Sequence, residues 1–179
     1  MKKVAAIVIF ISLMAVGFIF VDRSKSLSRQ QHPRTTMAVA SPDGPQPEKD
    51  TPYSELVQII HQEVNEFRRA HKLKPLTLNP FVSAQAREHS AEMARSGKIS
   101  HSGFGERLKK IREKLSFRAA AENVAVDVGY KNPARAAVEG WKNSPEHRKN
   151  MLGNYSLTGI GVARNEQDRY FFTQIFLQL

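Results

Sequence analysis

The 34 residues from Ala119 to Leu152, AAAENVAVDVGYKNPARAAVEGWKNSPEHRKNML, decide the fold. The run Ala119–Asp127 leans towards a strand through Asn123-Val124-Ala125-Val126. Asn132-Pro133 then supplies a helix cap and a first-turn proline, and Ala134, Val138 and Trp141 at i, i+4 and i+7 give that helix an apolar stripe. Ser144-Pro145-Glu146-His147 has the form of a second helix start, with Ser144 as the cap, His147 in the first turn and Gly153 as the stop. This stretch therefore sets a carboxylate, Glu122, beside a core and an imidazole, His147, at a helix N-terminus.

A buried carboxylate needs a partner, and the plainest one is a set of backbone amides. A helix N-terminus disfavours an imidazolium and leaves a neutral ring able to accept a proton or a metal. Upstream, Ser100-His101-Ser102-Gly103-Phe104 is a short turn carrying a second imidazole. His101 reads equally well as an exposed loop residue. Two His and one Glu from three separate elements can converge to bind a metal or move protons.

Working towards the N-terminus, Gly105–Leu115 is a helix with Phe104, Leu108, Ile111 and Leu115 facing inward. Its outer face carries Arg107, Lys109, Lys110, Arg112 and Lys114. Lys109, Lys110 and Arg112 are the first candidates for contact with an anionic polymer or a membrane surface, although such a run also serves as a solvated helix face. Val82, Ala86, His89 and Met93 mark a helix that starts at Asn79-Pro80 and stops at Gly97; His89 reads as a packed helix residue. Tyr53–His71 is amphipathic through Leu56, Ile60, Val64 and Phe67, and Lys72–Leu78 reads as a loop. At the other end, Thr158–Arg164 and Arg169–Leu177 bracket a polar turn and form a β-hairpin. The expected fold is α+β, a three-layer α-β-α sandwich with a small antiparallel sheet between helices.

Residues 1–23 differ in kind. Met1-Lys2-Lys3 precedes an apolar run from Val4 to Val21 that, as a helix, spans roughly 27 Å, close to the hydrocarbon thickness of a bilayer. No small-x-small cleavage site follows directly, so this segment is expected to be a retained transmembrane anchor; if cleaved, the protein is secreted. Residues 24–52, with prolines at 42, 45, 47 and 52, read as a flexible tether, and residues 53–179 as the folded domain, held outside the cytoplasm. The chain has no cysteine, which excludes disulfides, thiolate metal ligands and a lipidated N-terminal cysteine. Its formal net charge is +10, and residues 51–179 hold 20 Lys and Arg against 13 Asp and Glu. That balance suits an anionic cell-envelope polymer, a lipid or an acidic protein, and nothing in it specifies a nucleic acid.

In order along the chain, Ala86-Arg87-Glu88-His89-Ser90-Ala91-Glu92-Met93-Ala94, Ser100-His101, Ala121-Glu122-Asn123-Val124-Ala125, Trp141 to Leu152, Gly159-Ile160-Gly161-Val162-Ala163 and Tyr170-Phe171-Phe172-Thr173-Gln174 resemble the CAP superfamily. This superfamily includes cysteine-rich secretory proteins, venom antigens and plant pathogenesis-related proteins; the resemblance is closest to its bacterial secreted branch and covers about residues 55–177. It implies a cleft with two His and two Glu that in some members holds zinc or another divalent cation, with His101, His147 and Glu122 as three of the four groups. The fourth, a glutamate shortly after the tryptophan, is missing: the chain reads Lys142-Asn143-Ser144 there, with Glu139 and Glu146 at other positions. Two functions follow as expectations. One is a membrane-tethered binding module of the cell envelope. The other is a metal-assisted hydrolase of peptide or ester bonds, with His101, Glu122 and His147 as its candidate catalytic groups. Ser102 and Ser144 are weaker candidates for a nucleophile.

Overall fold

Two glycines on one strand set how closely the layers approach. A Cβ on Gly159 would lie 2.3 Å from the Val82 carbonyl carbon, and one on Gly161 would lie 2.2 Å from that of Ala86. The helix carrying Val82 and Ala86 therefore lies with its backbone against the sheet, an approach that side-chain volume would forbid. Ser90 fixes the register by donating from its hydroxyl to Gly161 O at 3.1 Å and to Thr173 Oγ1 at 2.9 Å.

The computed structural model describes residues 9–13, 53–127 and 129–179. The elements run β1 (Ile9–Leu13), α1 (Ser54–Ala70), β2 (Thr77–Leu78), α2 (Pro80–Ser96), α3 (Phe104–Arg112), β3 (Ala119–Asp127), α4 (Pro133–Asn143), α5 (Pro145–Met151), β4 (Leu157–Arg164) and β5 (Tyr170–Gln178). The sheet order is β1-β3-β5-β4-β2. Strand alternation divides the core. Ala121, Ala125, Ile160, Val162, Phe172 and Phe176 pack with α1, α4 and α5. Ala120, Leu157, Ile175 and Leu177 pack with α2 and α3. The expected three layers are present.

The helix starts follow the capping chemistry. Asn79 Oδ1 accepts from Val82 N at 3.0 Å and Asn132 Oδ1 accepts from Arg135 N at 3.1 Å, each ahead of a proline. Gly97, at φ +65, closes α2 in the left-handed conformation that glycine adopts at no steric cost. Trp141, fully buried, donates from Nε1 to Val124 O at 3.2 Å and ties α4 to β3. Arg68 is buried as well. It donates to Lys74 O, Met151 O, Gly153 O and Tyr155 O at 2.7–3.0 Å, joining α1 to the segment between α5 and β4. Burial pulls its guanidinium below the usual arginine value.

Two expectations change, and a third falls largely outside the described residues. The sheet is mixed, because β2 pairs parallel to β4 within what reads as the loop Lys72–Leu78; two residues are too few to show a strand period. Within the apolar run 4–21, Ile9–Leu13 forms a strand antiparallel to β3, with Leu13 opposite Glu122 and Ile9 opposite Val126. A short β-branched apolar run suits either conformation, and periodicity does not separate them. The rest of that run and the tether 24–52 lie outside the described residues. Among the described residues no helix is long and apolar enough to cross a membrane. Lastly, Arg107 leaves the outer face of α3 and is buried against Glu122.

Candidate functional site

Glu122 is even-numbered in β3 and projects to the α2/α3 side, where its side chain has no solvent exposure. Two groups meet it there. His101 Nδ1 lies 2.8 Å from Oε1. Arg107 donates from Nη2 to Oε2 at 2.7 Å and to Oε1 at 2.9 Å, and from Nε to Oε2 at 3.1 Å. Its Nη1 donates to Ser102 O at 2.7 Å, which anchors the turn that carries His101. The planar guanidinium fork matches the carboxylate, so the pair is fixed in direction as well as in distance.

The turn is fastened to α2 from the other side. His89, 2% exposed, has Nε2 2.7 Å from Ser100 O and Nδ1 3.2 Å from Glu92 Oε2. It is a packed helix residue, as its place on the stripe implies. Ser100 Oγ accepts from Ser102 N at 2.8 Å and tightens the same turn.

His147 arrives from the opposite layer on α5, which Met151 seats in the core with α1 and α4. Its main-chain carbonyl accepts from Asn123 Nδ2 at 3.2 Å. Asn150 Nδ2 donates to Asn123 Oδ1 at 2.9 Å and to Glu122 O at 3.4 Å. These amides hold α5 against the strand residue next to Glu122. The His147 ring is almost wholly buried, with Nδ1 2.7 Å from Ser144 Oγ. Ser144 stands at the N-cap, as expected, but its side chain makes no cap bond because its oxygen is turned to the imidazole. His101 and Glu122 are thus joined directly, while His147 belongs to a neighbouring serine and asparagine network.

The remaining candidates lie on the surface. Glu139 Oε1 accepts from Lys142 Nζ at 2.7 Å and is exposed, as is Glu146, so neither replaces the missing glutamate. Lys109 reaches Glu106 at 2.7 Å and Lys110 reaches Glu88 at 3.3 Å, all four side chains at least half exposed. Pairs of this kind contribute little to stability and separate readily. The Arg112 guanidinium lies 4.0 Å from the Phe117 ring centroid. The basic face of α3 is Lys109, Lys110 and Arg112, without Arg107, and Lys114 lies in the turn beyond the helix.

Arg107, Asn123 and Asn150 are the site residues that the sequence reading passed over. The signal for Arg107 was its position: it is three residues after Phe104 and four before Ile111, on the inward stripe of α3. The signal for Asn123 was an amide inside an otherwise apolar strand.

Residues 61–176 match the model of the cysteine-rich secretory protein family, CAP. The chain belongs to the CAP family. It is 34% identical over 118 residues to a Bacillus subtilis protein named uncharacterized membrane protein YlbC, covering 64% of this chain and 32% of that one. It is 34% identical over 116 residues to uncharacterized protein YkwD of the same organism, covering 63% and 43%. The matches thus span well under two thirds of those relatives. Among solved structures, an extracellular protein containing an SCP domain from Bacillus anthracis superposes with a TM-score of 0.59 at 30% identity, over 70% of this chain and 41% of that one.

For a CAP domain the chemistry of the donor set is decisive. Among the described residues no group of three or more His, Cys, Asp and Glu could hold a metal ion. Both Glu122 oxygens are already taken by a guanidinium and an imidazole. A divalent cation at Glu122 would have to displace that guanidinium and then remain beside its charge. The residues around Glu122 do not fit a resident metal.

Proposed function

We propose that this CAP domain is a binding module of the bacterial cell envelope, tethered to the membrane by its apolar N-terminal run, that recognises its partner without a metal. The observation that carries this reading is the Arg107–Glu122–His101 cluster, in which a guanidinium and an imidazole of the protein itself occupy the buried carboxylate. The names of the relatives, a membrane protein and an extracellular one, support the location. The basic face of α3 supports an anionic partner, either a cell-wall polymer or lipid headgroups. Membrane insertion requires Ile9–Leu13 to leave the edge of β3.

The test is co-sedimentation of the full-length protein with purified anionic cell-wall polymer and with anionic lipid vesicles at low and high salt. Retention that falls with salt and with Lys109→Gln/Lys110→Gln/Arg112→Gln supports the reading. Retention unchanged in that triple variant removes the basic face from it. Calorimetric titration with zinc should show no saturable heat near 1:1, and such a heat, lost in His101→Ala, would overturn the metal-free cleft.

A second reading, hydrolysis of a peptide or ester bond in the same cleft, has one observation in its favour. Ser144 Oγ lies within hydrogen-bonding reach of His147 Nδ1, the pairing that an activated hydroxyl requires. In this reading His147 takes the Ser144 proton as the hydroxyl attacks the carbonyl carbon and passes it to the leaving amine or alcohol as that bond breaks; water then releases the acyl group from Ser144. Hydrolysis that survives unchanged in Ser144→Ala and His147→Ala ends it.

A further inference from the structure

A second concave site lies away from the cleft, between the last turns of α2 and the turn joining β4 to β5. It has a volume of about 420 Å³. Ala91, Ala94 and Ala163 give it an apolar part, and Arg95 and Arg164 give it two guanidinium groups. Nothing in the cluster around Glu122 reaches it.

The turn leaves donors without acceptors. Asn165 Oδ1 accepts from Gln167 N at 3.1 Å and from Arg169 N at 3.0 Å, and these two backbone donors fix which end of the amide is oxygen. Asn165 Nδ2 is then a buried donor with no partner, in the wall of the pocket. Arg169 Nε, on the same turn, is a second buried donor with none. Arg169 reaches α2: a Cβ on Gly97 would lie 2.9 Å from its Nη2. Arg95 has no ion pair among the described residues, and Arg164 is shared with Asp168 at 2.7 Å. Orphaned buried donors are costly, and the Asn165 amide in the pocket wall calls for an acceptor.

We infer that this pocket binds a small monocarboxylate with a short apolar group, of the kind a peptide C-terminus presents. Oxygens of the carboxylate take the Asn165 amide and the guanidinium groups of Arg95 and Arg164, and the apolar group lies against the three alanines. The lining sets two arginines against Glu166, and Arg164 is shared with Asp168, so the pocket suits at most a single negative charge. This site is independent of the reading given to the cleft.

The test is NMR titration of the ¹⁵N-labelled full-length chain with N-acetyl-L-alanine, its neutral amide and inorganic phosphate in parallel. The expected result is a saturable shift of the Asn165 side-chain amide, the Arg95 Nε–H and the Ala163 backbone with the carboxylate alone. Arg95→Gln, an exposed substitution that leaves the core intact, should weaken binding about threefold or more by removing a charge-assisted bond. Non-saturating shifts, equal shifts with the neutral amide, or unchanged affinity in Arg95→Gln would overturn the site. Phosphate binding as tightly as the carboxylate would overturn the ligand class.

Discussion

Arg107 and Glu122 stand 15 residues apart in sequence and share three hydrogen bonds where neither side chain meets bulk solvent, at 7% and 0% exposure. Burying two charges is expensive, and their mutual attraction repays it only when both are present. Arg107→Met should therefore destabilise the domain by about 3–5 kcal/mol, as should removal of the carboxylate alone. Arg107→Met combined with Glu122→Leu should cost less than the sum of the single changes, measured by urea unfolding. Additive losses would show that the pair is not coupled.

Gly161→Ala places a methyl group 2.2 Å from the backbone of Ala86, which a rotamer change cannot relieve. The expected loss is about 3 kcal/mol, the upper end for overpacking, read from the thermal midpoint. Gly105→Ala is the control. It meets nothing within 4 Å, lies inside α3 and should stabilise by up to about 1 kcal/mol.

Much of this was legible in the sequence, because the signals were long and periodic. Pro80 and Pro133 behind asparagine caps, the Gly97 stop and the Tyr170–Gln178 strand all appear where the residues imply. What escaped notice was short or was read by type. Arg107 was assigned to the solvent by its charge, although its spacing from Phe104 and Ile111 put it inward. Ser144 was assigned to the helix backbone because serine caps helices, yet an imidazole three residues on offers its oxygen another partner. Thr77–Leu78 is too short for any pattern. The pocket at Asn165 depends on which donors stay unpaired, and no sequence pattern encodes that.

Ser144→Ala separates the two roles of that serine. A capping serine would cost about 1 kcal/mol when truncated. Here helix stability should change by less than about 0.5 kcal/mol, as for a substitution that removes no cap. The ¹⁵N signals of the His147 ring should move, because its Nδ1 loses the neighbouring hydroxyl.

The strand at Ile9–Leu13 can be trapped, since the chain holds no cysteine of its own. Phe10→Cys with Ala125→Cys places two thiols at paired positions of β1 and β3. Oxidation should join them in detergent-solubilised protein and leave them apart in intact membranes, scored by mobility on non-reducing gels. Equal crosslinking in both settings would mean that the run remains on the sheet in the membrane.

Alkaline pH provides another probe. Burial raises the Tyr155 hydroxyl above its ordinary value of 10.0, so the folded state favours the neutral phenol. The resulting stability is fully present below pH 10 and is lost as pH rises through the folded value. Tyr155→Phe should be less sensitive than wild type above pH 10 in denaturant melts. Parallel curves would assign the loss to other groups.

The Arg68 clamp bears on how the chain reaches this state. Three of its four acceptors lie 83–87 residues downstream, so a ribosome releases α1 long before those carbonyls exist. Until Tyr155 has emerged, the guanidinium has no dry place to sit and docking α1 would strand a charge. The first helix of the domain is therefore among the last to settle. A contact of such long sequence separation forms late, so the domain settles only once nearly all of it has been made.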